Sequence, residues 1–136
     1  MITKVWERLY VGDSKAAERL AVENPLGINA IITLCPEPIR SKNPKINYIH
    51  IPMPDGAVEP EILDSVVNAI AIQIRKGKLL LHCSAGFSRS PCMAAMWMDV
   101  VGYQSFDEAL NEIARLRSVT DPSPSLVNSA KDHLRR

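Results

Sequence analysis

Cysteine and aromatic residues are scarce in this sequence. The 136 residues include three cysteines, and aromatic side chains account for 5% of the chain. Three cysteines are an odd number and too few for the disulfide framework of a small secreted protein. A reducing compartment is therefore favoured, and we expect a cytoplasmic protein. No stretch approaches the roughly 20 apolar residues of a membrane span, and the first residues lack the apolar core of a signal peptide.

Excess charge of one sign is also missing. Sixteen Lys and Arg residues face 15 Asp and Glu residues, which leaves a net charge of +1. Because no global field attracts polyanions, we expect neither nucleic acid nor an anionic membrane as a partner. Hydrophobic residues make up 46% of the chain. This composition predicts a single globular domain over residues 1–136, which we expect to be monomeric.

Strand patterns alternate with helix patterns along the chain. Apolar runs predict four strands, at 6–11, 27–35, 46–51 and 78–83. Apolar spacing and capping residues predict five helices, at 13–23, 59–77, 91–102, 105–117 and from 123 to the C-terminus. The alternation is typical of an α/β fold, here a central, mostly parallel sheet of four to five strands flanked by helices. Ligands of such sheets bind beyond the C-terminal ends of the strands, so the junction after 78–83 is the predicted site.

A ten-residue loop at that junction carries the chemistry: His82-Cys83-Ser84-Ala85-Gly86-Phe87-Ser88-Arg89-Ser90-Pro91. A tight loop before a helix turns backbone N–H groups inward and adds the positive end of the helix dipole, which favours an anion. Gly86 permits the wrap, and Arg89 offers a planar fork for two phosphate oxygens. In that field the Cys83 thiol is expected to ionise more readily than a free thiol and to attack phosphorus.

The predicted phosphate contacts run through the loop: Ser84, Ala85, Gly86, Phe87, Ser88 and Arg89. In the alternative interpretation Cys83 is a buried core cysteine and the loop is a plain strand-to-helix turn. A cysteine and an arginine separated by five residues are a weak signal by themselves. Here the pair closes a strand, brackets a glycine-containing loop and precedes a helix, and each feature serves phosphate binding.

The segment HCSAGFSRS resembles the signature of cysteine-dependent phosphatases, and its Ser-Arg-Ser ending is most similar to that of the dual-specificity protein phosphatases. The stretches WERLYVGD, EALNEIARLRS and PSPSLVNSAKDHL are also similar to segments of that family. The resemblance implies the phosphatase fold and hydrolysis of phosphate monoesters through a cysteinyl-phosphate intermediate. It also implies a phosphorylated protein or peptide as the substrate.

The resemblance further implies a general acid, an aspartate on a loop about thirty residues before the nucleophile. Asp55 lies 28 residues before Cys83, between a proline and a glycine. A simple turn aspartate is the alternative interpretation of this Asp-Gly pair. Asp64, Glu59 and Glu61 are the other candidates for the acid.

Two neighbours of the nucleophile receive roles from the same resemblance. Ser90 is similar to the family's hydroxyl that stabilises the leaving thiolate, and His82 is expected to organise the loop through hydrogen bonds. No metal or other cofactor is implied, because Arg89 and the backbone meet the charge of the phosphate. His50 and His133 have no ligand spacing to other His, Cys or carboxylate residues, so both are interpreted as structural.

Two residues of the predicted strand 27–35 need separate interpretation. Thr33 stands about where the family often has an asparagine and is expected to give a side-chain hydrogen bond to the loop. Cys35 is a candidate redox partner of Cys83, because a reversible disulfide protects a reactive thiolate from over-oxidation. A buried strand-end cysteine is the alternative interpretation of Cys35, and Cys92 is assigned to the core.

The substrate class is predicted from what the loop lacks. None of its variable positions is basic, whereas relatives that act on phosphoinositides tend to carry lysines there. The sequence therefore favours a singly phosphorylated protein, with phosphotyrosine and also phosphoserine or phosphothreonine entering a shallow pocket. The open alternatives are a phosphoinositide or RNA 5′-phosphate phosphatase, a non-catalytic phosphate-binding module, and a sulfur-transfer or arsenate-reducing enzyme that uses Cys35.

Overall fold

Five strands and five helices make up residues 1–135 of the computed structural model, the part of the chain that the structure describes. The strands are β1 (Ile2–Trp6), β2 (Leu9–Gly12), β3 (Ala30–Thr33), β4 (Asn47–His50) and β5 (Leu79–His82). The helices are α1 (Ser14–Arg19), α2 (Pro60–Lys76), α3 (Arg89–Val100), α4 (Phe106–Leu116) and α5 (Pro124–Leu134). The strand order is β1-β2-β5-β3-β4, and every pair except β1–β2 is parallel. The predicted α/β fold with a mostly parallel sheet is confirmed.

A hairpin replaces the predicted strand at 6–11, whose bounds were wrong. β1 and β2 are antiparallel, with Trp6 opposite Leu9, and the chain turns between them at Glu7 and Arg8. Arg8 takes a left-handed backbone with φ of 65°. Hairpin turns of this kind are usually signalled by Gly or Asn, which tolerate positive φ. The apolar pattern therefore runs through the turn without marking it.

Two of the differences between the predicted and observed helix boundaries are at the start of α3 and the end of α1. α3 begins at Arg89, two residues before Pro91, so the proline lies in the first turn, where its missing N–H removes no helical hydrogen bond. α1 ends at Arg19, short of the predicted residue 23. Ser105 and Glu108 form a capping box at the start of α4 and exchange both of its hydrogen bonds. The early start of α3 brings Arg89 to the positive end of that helix.

Helices cover the two faces of the sheet unequally. The larger apolar cluster joins one face to α2, α3, α4 and α5, and the smaller one joins the other face to α1. Leu79 and Leu81 of β5 belong to the larger cluster and Leu80 to the smaller, so β5 is buried on both sides. Burial of both β5 and α3 fixes the two ends of the loop between them. No helix in residues 1–135 has the length and apolarity needed to cross a bilayer.

Candidate active site

A small cavity of about 90 Å³ lies at the C-terminal end of β5. Within residues 1–135, one residue from elsewhere in the chain, Asp55, lines it together with the loop. The loop residues in the lining are Cys83, Ser84, Ala85, Gly86, Phe87, Ser88 and Arg89. The structure thus brings Asp55 next to the loop across 28 residues of sequence. The volume is of the size of one phosphate group rather than of a drug-sized ligand.

Helix α1 begins beside the loop and holds two of its carbonyl groups. The Ser14 N–H donates to the carbonyl of Ser84 at 3.0 Å, and Ser14 Oγ donates to the carbonyl of Cys83 at 3.4 Å. In a trans peptide the carbonyl of one residue and the N–H of the next point in opposite directions. The N–H groups of Ser84 and Ala85 therefore point away from α1 and can face the cavity that both residues line.

Two residues beyond α4 hold the other side of the loop. Arg117 is 4% exposed, and its Nε donates to the carbonyl of Gly86 at 2.7 Å. The Asp121 N–H donates to the carbonyl of Phe87 at 2.8 Å, so the N–H groups of Phe87 and Ser88 also point away from these donors. Gly86 has φ of +74°, and a Cβ there would lie 2.6 Å from Arg117 Nη2, so only glycine fits. The result is a ring of amides suited to an anion.

The Cys83 thiol lies at the base of this ring. Cys83 is 2% exposed, and its Sγ is 3.2 Å from Ser90 Oγ in the first turn of α3. Ser90 is buried as well, so its hydroxyl is held within reach of the sulfur. A hydroxyl at this distance can donate to a thiolate and stabilise its negative charge.

Arg89 is held at both ends of its guanidinium group. Nη1 donates to the carbonyl of Met53 and Nη2 to Ser84 Oγ, each at 3.3 Å. The buried Nε has no hydrogen-bond partner within residues 1–135. A buried donor without a partner is costly, and an anion in the cavity would satisfy it.

Asp55 is the acidic residue that the structure places at the cavity. Its Oδ1 accepts a hydrogen bond from Ser88 Oγ at 2.5 Å. Asp64 instead accepts from His133 Nε2 at 2.7 Å and does not line the cavity. Of the other two candidates, Glu59 is the N-cap residue of α2 and Glu61 lies in its first turn, and neither lines the cavity.

His82 supports the loop from inside the sheet. Its Nδ1 is 3.2 Å from the carbonyl of Cys83, which can only accept, so the Nδ1 proton is in place. Nε2 then accepts from Thr33 Oγ1 at 2.9 Å, which is the side-chain hydrogen bond predicted for Thr33. Burial lowers the pKa of His82, although the Cys83 carbonyl opposes this. The neutral imidazole is therefore the form that matches both partners.

We expect this arrangement to make the folded protein sensitive to acid. Because the pKa of His82 is lowered on folding, the unfolded chain binds the proton more readily. The contribution of neutral His82 to the free energy of unfolding is therefore complete above about pH 6.5, the ordinary histidine pKa. This contribution is lost as the pH falls below that value. The slope is at most about 1.4 kcal/mol per pH unit. Urea unfolding of wild type and His82→Asn at several pH values measures it, and equal slopes in both proteins would contradict the expectation.

The comparison with protein families decides the assignment of the chain. The family model described as dual specificity phosphatase, catalytic domain, matches residues 9–135. The chain belongs to this family. The match extends over nearly all of the described chain, so the assignment applies to the five-stranded domain as a whole.

Individual relatives of this dual-specificity phosphatase domain are distant in sequence. Dual specificity protein phosphatase 18 of Mus musculus is 26% identical over 100 residues, which cover 71% of this chain and 53% of that protein. The chain therefore spans about half the length of that curated relative. The crystal structure of human DUSP28 is 20% identical with a TM-score of 0.85 and covers 99% of this chain and 96% of its own. PTPMT1 in complex with PI(5)P has a TM-score of 0.79 at 20% identity, with 98% and 94% covered, and both structures share the fold.

The other two cysteines of the dual-specificity phosphatase domain differ in their surroundings. Cys35 is buried, with its Sγ 3.8 Å from Ser14 Oγ, the same hydroxyl that reaches the Cys83 carbonyl. Its role as redox partner stays a prediction, and all three thiols are free in this structure. Burial raises the pKa of Cys92 to about 12, which matches its assignment to the core and makes it unreactive.

Sequence reasoning missed four residues that support the loop or its aspartate: Ser14, Arg117, Asp121 and Ser123. Ser14 lies in the predicted helix 13–23 with no feature that points to the loop, and Asp121 and Ser123 act through backbone N–H groups, which carry no sequence signal. Arg117 is one of 16 basic residues in the sequence. Its one distinguishing property is burial, because a buried arginine needs several acceptors and finds them in Gly86, Met1 and Thr3.

Proposed function

We infer that this chain is a phosphoprotein phosphatase that hydrolyses phosphotyrosine, and also phosphoserine and phosphothreonine, through a cysteinyl-phosphate intermediate. The observation that carries the proposal is one cavity lined by Cys83, Arg89 and Asp55. A nucleophile, a charge clamp and an acid are the three groups that cleavage of a phosphate monoester requires. The family assignment supports the same chemistry.

The first step is attack by the Cys83 thiolate on the phosphorus. The loop amides and Arg89 hold the equatorial oxygens, where negative charge is spread in the transition state. As the S–P bond forms, the P–O bond to the leaving group breaks opposite to it. Asp55 gives a proton to the departing oxygen, which leaves as an alcohol or phenol rather than as an anion.

The second step releases phosphate by hydrolysis of the S–P bond. Asp55, now ionised, takes a proton from a water molecule as the water oxygen attacks phosphorus. The electron pair of the S–P bond returns to the sulfur. Ser90 Oγ, 3.2 Å from Cys83 Sγ, donates a hydrogen bond to the thiolate that leaves.

The lining of the cavity favours a single phosphate on a protein side chain. Within residues 1–135, Arg89 is the one basic residue that lines the cavity, so a second phosphate would meet no further cation from this part of the chain. Phe87 lines the cavity and stays 40% exposed, which offers an apolar face to the ring of a phosphotyrosine. PTPMT1 shares the fold and is solved with PI(5)P, so a phosphoinositide belongs in the test as the competing substrate.

A substrate panel tests the proposal. We expect phosphate release from peptides of one sequence that carry phosphotyrosine, phosphothreonine or phosphoserine, with phosphotyrosine fastest. Turnover of a short-chain phosphatidylinositol phosphate and of 5′-phosphorylated RNA should be lower by about 100-fold or more, because their additional charges go unmatched. Faster turnover of the lipid or the RNA would overturn the substrate class. Binding of the phosphopeptides without any release would instead identify a phosphate-binding module.

A further inference from the structure

The hydroxyl of Ser88 connects Asp55 to the start of α5. Ser88 Oγ lies 2.5 Å from Asp55 Oδ1, and the Ser123 N–H donates to Ser88 Oγ at 2.9 Å. Ser88 is 3% exposed whereas Asp55 is exposed, so the hydroxyl is the buried partner of this bond. An N–H can only donate, so the hydroxyl accepts from Ser123 and its single proton is directed at the carboxyl group.

Apart from the Ser88 bond, the loop that carries Asp55 is held by hydrogen bonds at Met53, before Asp55, and at Val58, after it. Before it, the carbonyl of Met53 accepts from Arg89 Nη1 at 3.3 Å. After it, the Val58 N–H donates to Ser129 Oγ on α5 at 3.1 Å. The loop between these points has no helix or strand. Ser88 is the one residue within 1–135 that hydrogen-bonds the Asp55 carboxyl, and it belongs to the phosphate loop itself.

We propose that Ser88 is a positioning residue for proton transfer by Asp55, an inference that rests on the function proposed above. Because Ser88 donates to Oδ1, the transferable proton of Asp55 is placed on Oδ2. When the P–O bond breaks, its electron pair stays on the leaving oxygen, and the Oδ2–H bond breaks as that oxygen takes the proton. The carboxylate that remains keeps the Ser88 hydrogen bond, and Oδ2 then takes the proton of the attacking water.

A purely structural role for Ser88 makes a different prediction. If the hydroxyl served only to join the loop to α5, its loss would slow all substrates by the same factor. A role through the acid depends on the leaving group, because a poor leaving group needs the proton and a good one leaves without it. Phenyl phosphate and p-nitrophenyl phosphate provide the two cases, since phenolate is much more basic than p-nitrophenolate.

The test compares kcat/KM for these two esters in five proteins, the wild type and four variants. In Ser88→Ala we expect the loss for phenyl phosphate to exceed the loss for p-nitrophenyl phosphate by about 10-fold. Asp55→Asn should show a larger difference, about 100-fold. Adding Ser88→Ala to Asp55→Asn should bring no further dependence on the leaving group, because the acid is already gone. Ser125→Ala is the matched control, since Ser125 Oγ pairs with Ser123 Oγ and touches no acid.

Each outcome of this test supports or overturns a defined claim. Equal losses for both esters in Ser88→Ala, or an undiminished further effect in the Asp55→Asn background, would overturn the role of Ser88 and leave the proposed function intact. A wild type that hydrolyses neither ester would overturn the proposed function itself. Thermal unfolding establishes that each variant folds. If Ser88→Ala does not, Ser88→Gly also removes the hydroxyl, suits the N-cap position of α3 better than alanine does and gives the same readout.

Discussion

Turnover of p-nitrophenyl phosphate is expected to fall to the uncatalysed background in Cys83→Ser, while inorganic phosphate still binds. A serine hydroxyl does not ionise near neutral pH, and no histidine of the described residues lines the cavity to activate it. The amide ring is kept, because Ser14 and Arg117 hold carbonyl groups rather than the Cys83 side chain. Rates of p-nitrophenol release and calorimetric titration with phosphate measure the two properties separately.

Cys35→Ser is the matched control for the nucleophile. It changes a second buried cysteine near the loop, one that lies outside the cavity lining, and it should keep turnover close to that of wild type. Residual turnover by Cys83→Ser above the background would contradict attack by this thiol. A comparable loss in Cys35→Ser would point to the sulfur-transfer or arsenate-reducing alternative, in which a second thiol is essential.

Arg89→Lys should lower kcat/KM by about 1,000-fold although the positive charge is kept. Lysine is a point charge on a flexible stem, whereas the guanidinium plane is fixed here by Met53 and Ser84. The free Nε of Arg89 also has no counterpart in lysine. Phosphate binding should weaken together with the rate, which distinguishes this variant from Cys83→Ser.

Arg115→Lys provides the control for this substitution. Arg115 is an exposed arginine of α4 that pairs with Glu112 at 2.6 Å, and its replacement should leave both rate and phosphate binding unchanged. A loss of less than about 10-fold in Arg89→Lys would show that charge alone holds the phosphate. The bidentate geometry would then have no role in the transition state.

The fold and the phosphate loop could be predicted because their signals are local. Periodicity over single segments indicates strands and helices, and continuous apolar runs such as that of β5 indicate burial on both faces. The cavity-lining residues from Cys83 to Arg89 are consecutive, so one short stretch of sequence contains the proposed nucleophile, the arginine and the amides. Asp55 was reached only through the resemblance to a family, since its spacing has no local cause.

The parts that could not be predicted depend on contacts between distant segments. Arg8 turns a hairpin with a positive φ that its residue type does not announce. Ser14, Arg117 and Asp121 meet the loop only once the sheet and helices are packed. Nothing in the immediate neighbourhood of these residues in the sequence distinguishes them from other polar residues on the surface. Their roles follow from tertiary structure alone.

The contacts of Arg117 affect how the loop folds while the chain is being synthesised on the ribosome. The Arg117 side chain hydrogen-bonds both Gly86 and Thr3, and Thr3 lies 114 residues before Arg117 in the chain. A nascent chain that has emerged only past α3 has the cysteine and the arginine of the loop, but the Gly86 carbonyl still lacks its donor. Contacts of such long range form late and slowly. The thiol that we propose as the nucleophile therefore reaches its folded environment only after residue 117 has been synthesised, and a shorter nascent chain holds the loop without the support of Arg117.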